Sequence, residues 1–321
     1  MNDTLPRLHH VTAITGDAQR NLDFYTGTLG LRLVKITINF DDPGAYHLYY
    51  GDDLGRPGTI MTFFAWPGQP ATQSGAGQTT ATAFAVPRQS LAFWRERLTT
   101  EGVAFSEIAS RFGDTVLAFA DPDGLTTELV GTDDPRPAWP GVSPVPTEHR
   151  IRGFHGVTLT LHDGTATDAL LRDTLGFTPV GEADESGSAT PRMRYTASTD
   201  APAAFVDIVT RTEMPLGQTA VGTIHHIAWS TPDDATQLAW QGQLAAQGLQ
   251  VTPVRDRSYF HSIYFGTPGG VLFEIATDSP GFATDEAPES LGTTLQLPPQ
   301  YEPYRAQLQQ ALPPLRLPNA K

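Results

Sequence analysis

The chain has 321 residues, of which 39% are hydrophobic and 17% charged, and its formal net charge is −14. This length and composition predict about two globular domains and exclude a largely disordered chain. The negative charge argues against nucleic acid or an anionic membrane as a partner, because phosphate binding needs clustered Lys and Arg.

Further bounds come from the residue types that are absent and from the N-terminal stretch. The chain has no Cys, so any metal must be held by His, Asp or Glu. The start, MNDTLPRLHH, has no basic stretch followed by an apolar one, which predicts no signal peptide. No stretch approaches the roughly 18 apolar residues of a membrane span. We therefore expect a cytoplasmic protein with no membrane partner.

Four apolar runs, each followed by a segment with helical spacing, predict a repeated unit. The runs are LHHVTAIT (8–15), TATAFAVP (80–87), FHGVTLTL (154–161) and IHHIAWST (224–231). The segments with apolar residues at i, i+3, i+4 and i+7 are 17–30, 88–102, 164–177 and 233–248. Short alternating strands follow each helix, and those of 117–131 and 263–277 align without gaps. The pattern predicts an α+β fold of four tandem βαβββ modules, at 8–66, 79–131, 152–211 and 222–277.

Composition also predicts where the chain divides. The stretch 134–146 contains five prolines and is typical of a linker. We predict an N-terminal domain of two modules at 1–133, a linker at 134–150 and a C-terminal domain of two modules at 151–278. The Pro-rich remainder, 279–321, is too apolar for a free tail, and we expect it to pack on the body or in a dimer contact.

Two His-His pairs and one Glu carry the prediction of a metal site. One pair opens the first module and the other opens the fourth, so one His of each pair faces inward. Glu274 lies among apolar residues on the closing strand of module four, where a carboxylate is costly unless it meets a cation. His10, His226 and Glu274 would form a 2-His-1-carboxylate set, which is typical of non-heme Fe(II) and also suits Mn(II).

A purely structural interpretation remains open for each of these residues. A single strand His is more often a buried imidazole with a hydrogen-bond partner, and a single strand Glu usually pairs with Arg. The repetition of the His pairs at matching positions favours the metal site. His155 and Glu128, which open module three and close module two, resemble an incomplete copy, and we expect a structural role for them.

Several residues near the predicted ligands are candidates for catalysis. His9 and His225 adjoin the ligands and reach the same region only if the strands twist or bulge. Thr12 lies two residues after His10 on the same face. Arg257 and Tyr264 come from a donor-rich stretch, and Tyr264 can lie beside Glu274 on a neighbouring strand. A surface salt bridge and a core aromatic explain these last two residues equally well.

The chain resembles the vicinal oxygen chelate superfamily, which contains glyoxalases, bleomycin-resistance proteins and extradiol dioxygenases. The resemblance is closest to its ring-cleaving hydroquinone dioxygenase branch, and it spans almost the whole chain. It rests on the two His-His runs, on YHLYYGDDLGRPGTIMTFF (46–64), on TPGGVLFEIATDSPGFATDE (267–286) and on LPPQYEPYR (297–305). It implies a fold of two half-barrels, with modules one and four forming a metal cup and modules two and three a cup without a complete ligand set.

The resemblance implies an Fe(II) or Mn(II) cofactor on His10, His226 and Glu274. It also implies that His9, Thr12, His225, Arg257 and Tyr264 surround that metal. The implied substrates are a small para-diol aromatic and O2, and we expect a homo-oligomer. Two alternatives remain: a glyoxalase-type metal-dependent lyase or isomerase, for which only one of two expected carboxylates is found, and a metal-free module that binds an aromatic compound.

Overall fold

The computed structural model describes residues 7–185, 190–197, 202 and 204–317. Within these ranges it contains sixteen strands: β1 Leu8–Thr15, β2 Arg32–Asn39, β3 Asp42–Gly51, β4 Ile60–Ala65, β5 Gln78–Pro87, β6 Phe105–Arg111, β7 Asp114–Ala120, β8 Thr126–Thr132, β9 Gly153–Leu161, β10 Thr178–Ala183, β11 Arg192–Thr196, β12 Phe205–Thr210, β13 Ile224–Thr231, β14 Arg255–Asp256, β15 Phe260–Gly266 and β16 Leu272–Pro280. The α-helices are α1 Ala18–Leu22, α2 Leu91–Thr100, α3 Thr165–Ala169, α4 Asp234–Ala246 and α5 Arg305–Ala311. The order βαβββ recurs four times, which confirms the predicted α+β fold class.

The strands form two curled sheets of eight strands each. The first has the order β14-β15-β16-β13-β1-β4-β3-β2 and the second the order β10-β11-β12-β9-β5-β8-β7-β6. Within a module the first strand runs parallel to the last, and two modules join through the antiparallel pairs β1–β13 and β5–β9. Modules one and four therefore share one sheet, as inferred. Each sheet takes one module from each half of the chain, so the division into N- and C-terminal domains stays a prediction from chain order.

The helices begin where the sequence supplies caps, and their apolar faces are buried. The Asp17 side chain accepts a hydrogen bond from the Arg20 N–H at the start of α1, and Asp233 does the same for Thr236 at α4. α1 and α3 continue as wider π-turns, at Asp23–Thr28 and Leu170–Thr174. Trp94 and Trp240 anchor their helices in the core. No helix in the described ranges is long and apolar enough to cross a membrane.

The C-terminal segment lies against the first sheet and supports one edge of it. Leu295 forms a parallel bridge with Ile36 of β2, and the Tyr301 hydroxyl donates to the Phe40 carbonyl at 3.1 Å. Lys35 of β2 is fully buried, with Nζ 2.5 Å from both Asp285 Oδ1 and Glu286 Oε2. These contacts hold the turn between β2 and β3, which forms part of the rim of the cavity described below.

Candidate metal centre and cavity

Strands β1 and β13, which carry the His-His pairs, are each interrupted by a bulge. Their antiparallel register shifts between Leu8 and His10 in one strand and around His225 in the other. His9 and His225 are therefore extra, unpaired residues, and a bulge re-aims the side chains next to it. Each strand therefore has the bulge that His9 and His225 need in order to approach the region of the predicted ligands.

The sheet brings His10, His226 and Glu274 together, and all three are buried. The two Nε2 atoms are 3.3 Å apart, and Glu274 Oε2 lies 3.4 Å from that of His10 and 3.0 Å from that of His226. Donor atoms that share one metal with bonds of about 2.1–2.3 Å are separated by about 3.0–3.3 Å in an octahedral arrangement. The triangle of two nitrogens and one oxygen has the size of one face of such a site.

The state of Glu274 shows that a cation fits this triangle. Its Oε1 accepts a hydrogen bond from the Ser262 hydroxyl at 2.5 Å, while its buried Oε2 faces the Nε2 atoms of His10 and His226. Burial would raise the pKa of Glu274, but His10 and His226 hold that pKa well below its ordinary value. Burial also lowers the pKa of His226, which favours the neutral imidazole that a metal requires. A buried carboxylate oxygen aimed at two imidazoles is suited to a metal ion.

The neighbouring histidines orient the two imidazoles. His9 Nδ1 lies 2.9 Å from His10 Nδ1, and His225 Nδ1 lies 2.7 Å from His226 Nδ1. Ligation through Nε2 leaves the hydrogen on Nδ1, so His10 and His226 would each donate to the preceding histidine. His9 packs behind the site against Phe260, whereas His225 lines the cavity. The same contact between adjacent histidines therefore occurs in both pairs, but of His9 and His225 only His225 faces the cavity.

The triangle opens into a cavity of about 280 Å³ with aromatic walls. The apolar lining consists of Phe40, Phe64, Trp66 and Phe260, together with the ring of Tyr49. Polar groups stand at defined points on the wall: Thr12, Asn39, Asp41, Asp42, His47, His225, Arg257 and Tyr264. Apolar walls with a few polar groups are typical of a site for a small, mostly flat molecule.

Tyr264 and Arg257 lie on the wall beside Glu274. Tyr264 pairs with Glu274 across β15 and β16, as the sequence suggested, and accepts a hydrogen bond from Arg257 Nε at 3.2 Å. A second Arg257 nitrogen lies 2.9 Å from Asp41 Oδ2. Burial raises the pKa of Tyr264, so its hydroxyl stays protonated. Arg257 thus forms a salt bridge with the exposed Asp41, and it also faces the cavity together with the neutral Tyr264 hydroxyl.

Several polar residues of the cavity wall were missed from the sequence, among them His47 and Tyr49, as was Thr62 beside them. The Thr12 hydroxyl accepts a hydrogen bond from Thr62 at 3.0 Å. Thr62 also lies 2.7 Å from His47 Nε2, and the Tyr49 hydroxyl lies 2.8 Å from His47 Nδ1. The alternation His47-x-Tyr49 in YHLYY places both side chains on one face of β3, which was the available signal.

The second sheet holds no comparable group of ligands in the part of the chain that is described. Glu128 is paired with Arg111 at 2.7 Å. His155 has the Arg194 guanidinium 3.5 Å from its Nε2, and burial lowers the pKa of His155 to about 3. The space left between these residues is only about 10 Å³. Arginine side chains thus occupy the second cup.

The repeat of the fold, the bulged His pairs and the metal-sized triangle define one class of protein. The sequence model of the Glyoxalase/Bleomycin resistance protein/Dioxygenase superfamily matches residues 7–129 and again 153–275. The chain belongs to this superfamily. The predicted fold class and the resemblance are thereby confirmed.

Among known proteins, the chain is 45% identical over 310 residues to MhqO of Bacillus subtilis (strain 168), which is named as a ring-cleaving dioxygenase; the match covers 97% of this chain and 96% of MhqO. It is 37% identical to the chlorohydroquinone/hydroquinone 1,2-dioxygenase of Sphingobium indicum, over 94% of each chain. A crystal structure of a Bacillus subtilis protein described as a dioxygenase superposes with a TM-score of 0.91 at 44% identity, covering 98% and 99% of the two chains. Glyoxalase I from Zea mays, with a TM-score of 0.62 at 15% identity and coverage of 85% and 92%, shares the fold.

Proposed function

We propose that this chain is a non-heme Fe(II)-dependent dioxygenase that cleaves the ring of hydroquinone-type substrates. The observation that carries the proposal is the buried triangle of His10, His226 and Glu274, which opens into a cavity with aromatic walls. Two imidazoles, one carboxylate and no thiolate favour Fe(II), with Mn(II) as the second choice. The names of the relatives MhqO and the chlorohydroquinone/hydroquinone 1,2-dioxygenase support the reaction class.

The residues around the triangle would divide the work as follows. When bound, Fe(II) would supply the redox chemistry that joins O2 to the aromatic ring. Tyr264 would donate a hydrogen bond to a substrate hydroxyl, and Arg257 would stabilise negative charge that develops there. His225 lines the cavity and, with its Nδ1 accepting from His226, is placed to donate a hydrogen bond from Nε2 to a substrate oxygen, while His9 would hold His10 in its ligating orientation.

Threonine at one position argues against the lyase alternative. β4 pairs with β1 as β16 pairs with β13, so Thr62, opposite Thr12, is the counterpart of Glu274, opposite Ala228. A glyoxalase-type site is expected to use a second carboxylate for proton transfer, and Thr cannot provide one. The metal-free binding alternative would bury the Glu274 carboxylate and two imidazoles together with no ion between them, which a purely apolar binding pocket does not need.

Oxygen uptake tests the proposal directly. The protein is reconstituted with Fe(II) without air and then given O2 with methylhydroquinone or, separately, catechol. We expect uptake with methylhydroquinone and little with catechol, and no uptake by the Glu274→Ala variant. Absence of uptake by protein that is shown to hold iron would refute the proposal and favour the lyase, to be assayed with a thiol adduct of a 2-oxoaldehyde.

A further inference from the structure

Four hydrogen-bonded side chains form a row beside the candidate ligands. It runs from the Tyr49 hydroxyl to His47, from His47 to the Thr62 hydroxyl, and from Thr62 to Thr12, over distances of 2.8, 2.7 and 3.0 Å. Tyr49, His47 and Thr12 line the cavity, and all four side chains lie outside the triangle of ligands. The row ends next to the imidazoles.

The direction of the hydrogen bond from Thr62 to Thr12 sets the direction of the others in the row. The single hydroxyl hydrogen of Thr62 goes to Thr12, so Thr62 must accept its other bond from His47 Nε2. A neutral imidazole that donates from Nε2 accepts at Nδ1, so the Tyr49 hydroxyl donates there. Burial, with His10 and His226 adding to it, lowers the pKa of His47 well below its ordinary value, which keeps that ring neutral. Every bond therefore points toward Thr12.

Thr12 is left with a hydrogen that no described residue accepts. Its side chain is buried, and its oxygen receives the bond from Thr62. It lies two residues beyond His10 on the same face of β1 and directly opposite His226 on β13. A hydrogen-bond donor in a cavity of low dielectric binds an oxygen anion strongly. An oxygen held beside both imidazoles is the acceptor that this position fits.

We propose that Tyr49, His47 and Thr62 are positioning residues. Their hydrogen bonds make the Thr12 hydroxyl accept from Thr62, so that its own hydrogen is free to donate to a phenolate oxygen of the substrate. This inference rests on the proposed function, which supplies the phenolate. It assigns a role to three residues that hold no metal. If the row ran in the opposite direction, Thr12 would donate to Thr62, and the cavity would lose this donor.

The tautomer of His47 tests the direction of the row without any turnover. Nitrogen-15 NMR of His-labelled, Zn(II)-loaded protein is recorded with the wild-type chain and with His47→Gln, which identifies the His47 signals. We expect the Nε2–H tautomer for His47. The Nδ1–H tautomer would reverse the row and overturn the inference.

Ligand binding tests the donor itself. The probe is 4-nitrophenol, whose anion absorbs visible light, titrated into Zn(II)-loaded protein. We expect Thr12→Val to weaken binding of the anion about tenfold and Thr62→Val by a smaller factor. Thr37→Val is the matched control, because Thr37 on β2 is equally buried, does not line the cavity, and its hydroxyl has no partner in the described structure. Equal affinities for Thr12→Val and Thr37→Val would refute the inference.

Kinetics with His47 variants separate positioning from packing. Glutamine can still donate a hydrogen bond to Thr62, whereas leucine cannot. We expect kcat/KM for methylhydroquinone to fall about tenfold or more in His47→Leu and less in His47→Gln, with unchanged metal content in both. Equal losses in the two variants would refute a positioning role. A wild-type enzyme without oxygen uptake would refute the proposed function instead, and the NMR and titration results would stand separately.

Discussion

His155 occupies the same bulged position in β9 that His225 occupies in β13, but His225 is followed by histidine and His155 by glycine. The register shift of each strand falls at this residue. A Cβ on Gly156 would lie 2.5 Å from the carbonyl oxygen of Phe205, so the backbone of the second sheet has no room for a ligand there. Both sheets therefore have a bulge at this position, but only the first sheet has space for a histidine side chain at the next residue.

Module three also has a buried carboxylate at the position that Glu274 occupies in module four, but its partners are arginines. Asp207 faces Thr158 of β9 as Glu274 faces Ala228 of β13. Its oxygens accept hydrogen bonds from Arg194 at 2.7 Å and from Arg192 at 3.2 Å. Guanidinium groups balance this buried charge, which agrees with the expected structural role of the region around His155 and Glu128.

Removal of a predicted ligand should abolish metal retention. We expect His226→Ala and Glu274→Ala to hold less than about a tenth of the metal of the wild-type protein after reconstitution with Fe(II), because two donor atoms bind a divalent ion far more weakly than three. Metal analysis after gel filtration measures this. Glu128→Ala removes a buried carboxylate that pairs with Arg111 in the second sheet, and this variant should keep its metal. Full occupancy in the first two variants would remove them from the ligand set.

Tyr264→Phe should keep the metal and lose rate. Its hydroxyl is a cavity group and does not belong to the triangle, so we expect kcat/KM for methylhydroquinone to fall about 10- to 100-fold with unchanged metal content. Tyr259→Phe is the control, since the Tyr259 hydroxyl bonds to Asp285 and does not line the cavity. Steady-state kinetics of both variants test this prediction. Equal kcat/KM values for Tyr264→Phe and wild type would exclude a catalytic role for the Tyr264 hydroxyl.

The pH dependence of stability should carry a contribution from Asp121. Burial raises the pKa of Asp121 to about 6, above its ordinary value of about 4. The folded protein therefore binds a proton that the unfolded chain releases, and this stabilisation is present below pH 4 and is lost as the pH rises through 6.

Asp121→Asn should lack this dependence. Its free energy of unfolding minus that of wild type should increase by about 2–3 kcal/mol between pH 4 and pH 7, because only the wild type loses stability over that range. Urea unfolding of both proteins across that range provides the measurement. The asparagine oxygen can still accept from the N–H groups of Asp123 and Leu125, which limits other effects. If the difference in free energy of unfolding between Asp121→Asn and wild type did not change with pH, the raised pKa of Asp121 would be contradicted.

Lys35→Met should destabilise the protein because it leaves two carboxylates without their cation. Lys35 is fully buried, and the side chain of Glu286 is only 4% exposed, so we expect a loss of about 3–5 kcal/mol in urea unfolding. Arg56→Met breaks a pair with Asp52 in which the Arg side chain is 54% exposed, and should cost less than about 1 kcal/mol. Similar losses of unfolding free energy in the two variants would show that the buried ion pairs of Lys35 contribute no more to stability than an exposed ion pair.

Much of the candidate site was accessible from the sequence. The His-His runs and the alternation around Glu274 predicted the three residues that the structure brings together in the triangle, because strand periodicity states which residues share a face. The pairing of Tyr264 with Glu274 followed from the length of the turn between them. Thr62 and His47 were not found, because a hydrogen bond between neighbouring strands depends on a register that no local pattern specifies.

By itself, the sequence determined the four modules, their helices and the residue types available for a metal, since periodicity and composition are local properties of the chain. Only the tertiary structure decided that His9 and His225 are bulged, that Thr12 bonds to Thr62, and that arginines occupy the second cup. Each of these depends on which strand edges meet and in what register. Residues about two hundred positions apart, such as His10 and His226, become neighbours only when β1 and β13 pair in the first sheet.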